Sequence, residues 1–144
     1  MYKNKKITLF AFASQDLYRS ANRLKEQAQS SNYYDEIKVL SPKNFDDEMI
    51  KKFDLIKDVG KKRGYGYWFW KPIFLMKIMK EVNFGDIIHY IDVGCHIQNK
   101  NSKFYEYLDL LIKSENFILP FQYHLDNTEF PKDILFSKRE EFKY

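Results

Sequence analysis

Seven consecutive residues, Ile7-Thr8-Leu9-Phe10-Ala11-Phe12-Ala13, form a nearly unbroken apolar run with β-branched and aromatic members. Such a run reads as a short strand buried on both faces. A sheet built on it needs a layer of helices on each side, and the rest of the chain alternates helical and strand-like patterns accordingly.

Ser14 reads as a helix N-cap, and Gln15 to Ser30 carries Leu17, Ala21, Leu24 and Ala28 at helical spacing. Glu36 to Leu40 is a second short strand, ended by Ser41-Pro42 and expected to run parallel to the first after the helical crossover. Asn44 is placed to cap a helix containing Phe45, Met49, Phe53 and Ile56, which Gly60 and the run Lys61 to Gly64 close. A largely buried helix is expected from about Pro72 to Val82, because the proline ring is tolerated in a first helical turn and blocks an interior position. Asn83-Phe84-Gly85-Asp86 makes a turn, and Ile87 to Ile91 is a third strand that delivers Asp92 to its carboxyl end. After a polar loop at 99–102, Phe104, Leu108, Leu111 and Ile112 mark another helix. A strand is expected at Phe117-Ile118-Leu119, stopped by Pro120. The alternation predicts an α/β fold with a mostly parallel sheet and helices on both faces. In open sheets of that kind ligands bind outside the carboxyl ends of the strands.

The 144 residues suit a single domain over 1–144, and a 44% hydrophobic composition is rich enough to bury a core. The 24 basic and 20 acidic residues give a net charge of +4, scattered rather than gathered in a stripe, which supports a weak preference for anionic ligands. No nucleic-acid motif accompanies it, and nucleic acid is not expected as a partner. The lone Cys95 cannot form an internal disulfide and suits a reducing compartment, so a cytoplasmic location is expected.

Two segments can carry chemistry. In Arg63-Gly64-Tyr65-Gly66-Tyr67-Trp68-Phe69-Trp70-Lys71-Pro72, two cations and five aromatic rings stand beside a helix start. Glycines that permit close approach, N–H groups at a helix N-terminus and the charges of Arg63 and Lys71 together suit a diphosphate. Trp68, Phe69 and Trp70 read mainly as core packing. In Tyr90-Ile91-Asp92-Val93-Gly94-Cys95, the strand presents a carboxylate at its open end. One or two carboxylates together with substrate phosphates are a usual way to hold Mg²⁺ or Mn²⁺. The alternative is that Asp92 caps the following turn. His89 reads as a packed, hydrogen-bonded residue, Cys95 as a small buried hydrophobe, and His96 and His124 as solvated loop residues.

At these two segments the chain resembles a group of bacterial glycosyltransferases that accompany capsule or lipopolysaccharide genes. The layout is similar to the donor half of glycosyltransferase family eight. Asn127-Thr128-Glu129 and Ser137 to Phe142 also look like a landmark of that group. The resemblance is specific from Arg63 to about Ile97 and diffuse elsewhere. It implies a GT-A-like fold for nucleotide-diphospho-sugar transfer, of which this chain would be the N-terminal part. It also implies a hexosyltransferase-class activity on a capsule or lipooligosaccharide acceptor, either a glycan or a lipid-linked one, and it allows peripheral contact with the inner membrane face. Asp92 then corresponds to the first carboxylate of an Asp-x-Asp metal motif for Mn²⁺ or Mg²⁺. Arg63 and Lys71 correspond to donor-contacting cations, and Asp86 to a position before the strand. Gly94, beside the donor, stands where family eight has its second carboxylate. The alternative to an enzyme is a non-catalytic GT-A-like remnant or interaction module.

Overall fold

The computed structural model describes residues 1–60, 66, 68–99, 102–114 and 118–119, with the side chains of 55–60 outside the description. The chain divides into two compact units, Met1–Asn101 and Ser102–Tyr144.

In the first unit, β1 (Ile7–Phe12) is followed by α1 (Tyr18–Ser31), β2 (Glu36–Leu40), α2 (Asp47–Gly60), α3 (Trp70–Glu81) and β3 (Ile87–Tyr90). The three strands form one sheet in the order β2-β1-β3, and both pairings are parallel. All six residues of β1 are buried, as expected of a strand covered on both faces, whereas β2 at the edge is only half-buried.

Strand periodicity sorts the core into two clusters. Phe10 and Phe12 point to one side, where Met49 of α2 and Trp70, Phe74 and Ile78 of α3 cover them. Ala11 and Ala13 point to the other, packing with Leu24 of α1 and with Val93 beyond β3. Toward the carboxyl end of β1 the residues on the α1 side, Ala11 and Ala13, are small, whereas on the other side aromatic rings fill the layer. The Phe12 and Trp70 rings stack at 4.1 Å, and Phe74 meets Phe10 edge to face at 6.3 Å. The crossover from β1 to β2 and the return from β2 over β1 to β3 run in opposite directions across the sheet, and the right-handed rule then puts their helices on opposite faces.

Several local expectations are corrected. Ser14 precedes a 3-10 turn at Gln15–Leu17 and makes no side-chain cap, so the α-helix begins at Tyr18. That turn takes Leu17 off the helical stripe and leaves it exposed, while Leu24 and Ala28 are buried. Asn44 does not cap α2. Its side chain folds back to accept from the Ser41 amide at 2.9 Å, and Asp46 caps the helix by accepting from the Met49 amide at 2.9 Å. The buried helix starts two residues before Pro72, which keeps the proline within the first turn where it costs no helical hydrogen bond. Ile118 and Leu119 lie outside any strand, with Ile118 exposed; Phe117 and Pro120 are outside the described residues.

The amino ends of the strands are tied by carboxylates. Asp35 accepts from the Ile7 amide at 2.9 Å and from the chain's N-terminal ammonium at 2.5 Å. Asp86 accepts from the Lys6 amide at 2.8 Å, and Lys5 donates to the Gly85 carbonyl at 2.8 Å. Gly85 has φ +88, a left-handed conformation that glycine adopts without steric cost.

In the second unit α4 (Ser102–Lys113) is amphipathic, with Leu108 buried and a Lys103–Glu106 ion pair on its surface. Among the described residues no helix is long and apolar enough to cross a membrane.

Candidate functional site

Chain order runs from β1 outward to β2, then returns across β1 to β3, so strand order reverses between β1 and β3. This is the topology in which an open parallel sheet leaves a crevice beyond its carboxyl ends. Tyr90 and Asp92 stand two residues apart at the end of β3. Two-residue spacing along an extended chain directs side chains to one face. That face belongs to α3, because Tyr90 packs against the Phe10, Trp70 and Phe74 cluster.

Lys71, in the first turn of α3, reaches the same place. Its Nζ lies 3.3 Å from Asp92 Oδ1, and it sits over the rings of Tyr90, Trp70 and Trp68 at 4.7, 5.6 and 5.9 Å. The Tyr90 hydroxyl donates to the same Asp92 oxygen. Burial, reinforced by this contact with the Asp92 carboxylate, pushes the Tyr90 phenol well above its ordinary pKa, so it remains a donor throughout the physiological range. The result is an ammonium held by three rings and one carboxylate. It is not sealed, since the Lys71 side chain is 34% exposed and that of Asp92 62%.

The turn before α3 gives Lys71 its position. The Gly66 carbonyl accepts from the Phe69 amide at 3.2 Å, and the Trp68 carbonyl accepts from the Lys71 amide at 3.0 Å. Gly66 has φ 82 and Trp68 φ 58. Left-handed backbone is natural for the glycine and strained for tryptophan, at about 1–2 kcal/mol. Trp68 is 39% exposed, so the strain is not offset by full burial of its ring. Trp70 does fill the core as expected, and Phe69 is half-buried.

The loop after Asp92 is anchored from α1. Arg23 donates to the Val93 carbonyl at 2.7 Å and the Cys95 carbonyl at 3.1 Å, and Gln27 accepts from the Ile97 amide at 3.2 Å. The Asp92 carbonyl accepts from the Cys95 amide at 2.9 Å. The turn is thus closed by the backbone of Asp92, while its side chain faces Lys71. Gly94 is exposed, and a Cβ built there would meet nothing within 4 Å.

Of the residues singled out in the sequence, Lys71, Asp92 and the Trp68–Trp70 turn come together, and Gly94 lies two residues beyond Asp92. Arg63, His124 and the 127–142 landmark lie outside the described residues. Asp86 is spent on the Lys6 amide at the opposite end of the sheet. His89 is packed as expected: its Nδ1 pairs with the Tyr34 hydroxyl at 2.9 Å, and burial lowers its pKa, favouring the neutral ring. One expectation is corrected: Cys95 is exposed, because the loop turns outward after Val93. His96 is exposed in its loop as expected, and the Arg23 guanidinium also lies 2.6 Å from its Nε2.

Sequence reasoning missed the roles of Tyr90 and Arg23. The first was legible, since Tyr90 stands at i−2 from Asp92; the second rests on a contact across 70 or more residues that no local pattern encodes.

A divalent cation would need oxygen ligands here. Among the described residues no group of three or more His, Cys, Asp or Glu side chains comes together. Asp92 is the carboxylate at this position, its Oδ1 already shared by an ammonium and a phenol. The described donor set therefore does not fit a resident metal. What it offers is one ammonium, paired with one carboxylate and set against three aromatic rings, open to solvent on its outer side.

No protein-family model, no curated protein and no solved structure matches the chain, so what is established is its class: a three-stranded parallel α/β sheet with helices on both faces.

Proposed function

We propose that this chain binds a nucleotide-diphosphate sugar at the carboxyl end of the sheet, within a GT-A-like fold, as the donor-binding part of a glycosyltransferase acting on a cell-surface glycan acceptor. The observation that carries the reading is the Lys71–Asp92 pair set among Tyr90, Trp70 and Trp68 where strand order reverses. A partly exposed ion pair contributes about 0–1 kcal/mol to stability, so fold stability alone is a weak reason for such a frame.

In glycosyl transfer the bond between the anomeric carbon and the diphosphate oxygen breaks, an acceptor hydroxyl oxygen bonds to that carbon, the electron pair of the broken bond stays on the diphosphate, and the hydroxyl proton is released to solvent. Charge develops on the departing diphosphate. Lys71 is placed to lie against that charge from a preorganised position, and the exposed Trp68 ring offers a face to a planar base. Tyr90 and Asp92 hold the ammonium in place. None of the described residues is assigned as the base.

A second reading, an interaction module, is favoured by exposed apolar residues on the outer side of α3 and beyond it: Met76, Met79 and Phe84. Calorimetric titration with UDP separates the two readings. The donor-site reading expects saturable binding by wild type that weakens at least about tenfold in Lys71→Gln, the loss expected for a hydrogen bond to a charged group. A well-folded wild type that binds no UDP favours the interaction module.

A further inference from the structure

We infer that the built-in ammonium of Lys71 takes the place of a divalent cation, so that the site engages a nucleoside diphosphate without metal. This rests on the donor-site reading above and goes beyond it, by stating which charge meets the diphosphate.

Three observations carry it. First, Lys71 Nζ occupies the position beside Asp92 Oδ1 that a carboxylate-bound cation would take, at 3.3 Å. A divalent ion on that oxygen would face the ammonium at close range, and repulsion would require Lys71 to withdraw from its three rings. Second, the Tyr90 hydroxyl donates to the same oxygen, leaving it less available as a ligand. Third, Gly94 supplies no second carboxylate, although a side chain would fit there: nothing lies within 4 Å of a Cβ built on it. Glycine at 94 is therefore not imposed by packing.

The remaining geometry agrees. Lys71 lies in the first turn of α3, so its charge and the partial positive charge of the helix N-terminus act on the same side. When a diphosphate arrives, the ammonium exchanges its contact with Asp92 for one with a phosphate oxygen, and the Tyr90 hydroxyl continues to satisfy the carboxylate. Asp92 is a positioning residue in this scheme: it holds the cation and is not itself a ligand.

The test is calorimetric titration of the whole chain with UDP in EDTA and again in excess Mn²⁺, for wild type, Lys71→Gln and Asp92→Asn. Circular dichroism melts establish that each variant folds. Expected for wild type is an affinity equal within about threefold in the two buffers. Lys71→Gln should lose about tenfold or more in both, the fold-change of a lost charge-assisted contact. Asp92→Asn, which keeps an acceptor for Lys71 and Tyr90 but removes the charge that positions the ammonium, should change affinity by the same factor in EDTA and in Mn²⁺. UDP binding that disappears in EDTA, or Mn²⁺-dependent binding that Asp92→Asn abolishes, overturns the inference and leaves the donor site standing. No UDP binding by folded wild type in either buffer overturns the donor site, and the inference with it.

Discussion

The two ends of the parallel sheet use charge in opposite ways. At the amino ends, Asp35 and Asp86 accept from the backbone amides of Ile7 and Lys6, and Lys5 donates to the Gly85 carbonyl. These charges substitute for missing ladder partners, and backbone groups left unpaired there would be costly. At the carboxyl ends, Lys71 and Asp92 meet each other and Tyr90 through side chains. Breaking those contacts frees no backbone group, so their arrangement is open to exchange with a ligand. Charges of the same kinds, placed at opposite ends of three strands, are clamps in one location and candidate binding groups in the other.

The comparison breaks most severely through what both ends share. Phe74 packs between Phe10 and Phe12 beneath the site. Phe74→Ala should cost about 3–5 kcal/mol, the usual range for a buried ring, with fluorescence and circular dichroism losing signal in one urea transition. Two separated transitions would mean that the ends are held by different cores.

Asp35→Asn should cost about 1–3 kcal/mol through its charge-assisted bonds to the N-terminus and the Ile7 amide, with UDP affinity unchanged. The N-terminal ammonium first, and then the Ile7 amide, hold the Asp35 carboxyl below its ordinary pKa. A depressed carboxyl stabilises the fold above its unfolded value of about 3.9 and loses that contribution as pH falls through the folded value. Wild type should therefore destabilise from about pH 4 downward more steeply than Asp35→Asn in urea midpoints taken along a pH series. Parallel curves would remove Asp35 from its role as a clamp.

Trp68→Gly sharpens the contrast at the other end. Removing the left-handed strain of about 1–2 kcal/mol should offset the loss of the partly exposed ring, leaving the melting temperature unchanged or slightly raised while UDP affinity falls. A large loss of stability would show that Trp68 belongs to the core. The smallest expected effect is at Gly94: Gly94→Asp should change stability by less than about 0.5 kcal/mol, while placing a second carboxylate beside Asp92. Electron paramagnetic resonance should then detect Mn²⁺ bound more tightly than by wild type. A marked destabilisation instead would show that the glycine is structurally required.

Much of this architecture could be read before any coordinates. The unbroken apolar run of β1 announced burial on both faces, and the alternation of periods announced a parallel sheet, because burial of backbone and apolar faces leaves few other arrangements. Asp92 was legible as a carboxylate at the end of a buried strand. The caps were not. Asp46 and Asn44 are both competent N-cap residues two positions apart, and the choice depends on how the Pro42–Asn44 turn folds back onto Ser41.

By itself, then, the sequence determined the three strands of the sheet, the main helices and the two-sided core, all of which follow from periodicity over a few neighbouring residues. The tertiary structure alone decided which strand lies beside β1, and hence where strand order reverses. It also decided that Lys71 meets Asp92, that Arg23 fixes the loop after β3, and that Asp86 serves the backbone. Each of these is a contact between residues 20 to 80 positions apart, and no local pattern records which distant partner a side chain will meet when helices fold onto a sheet.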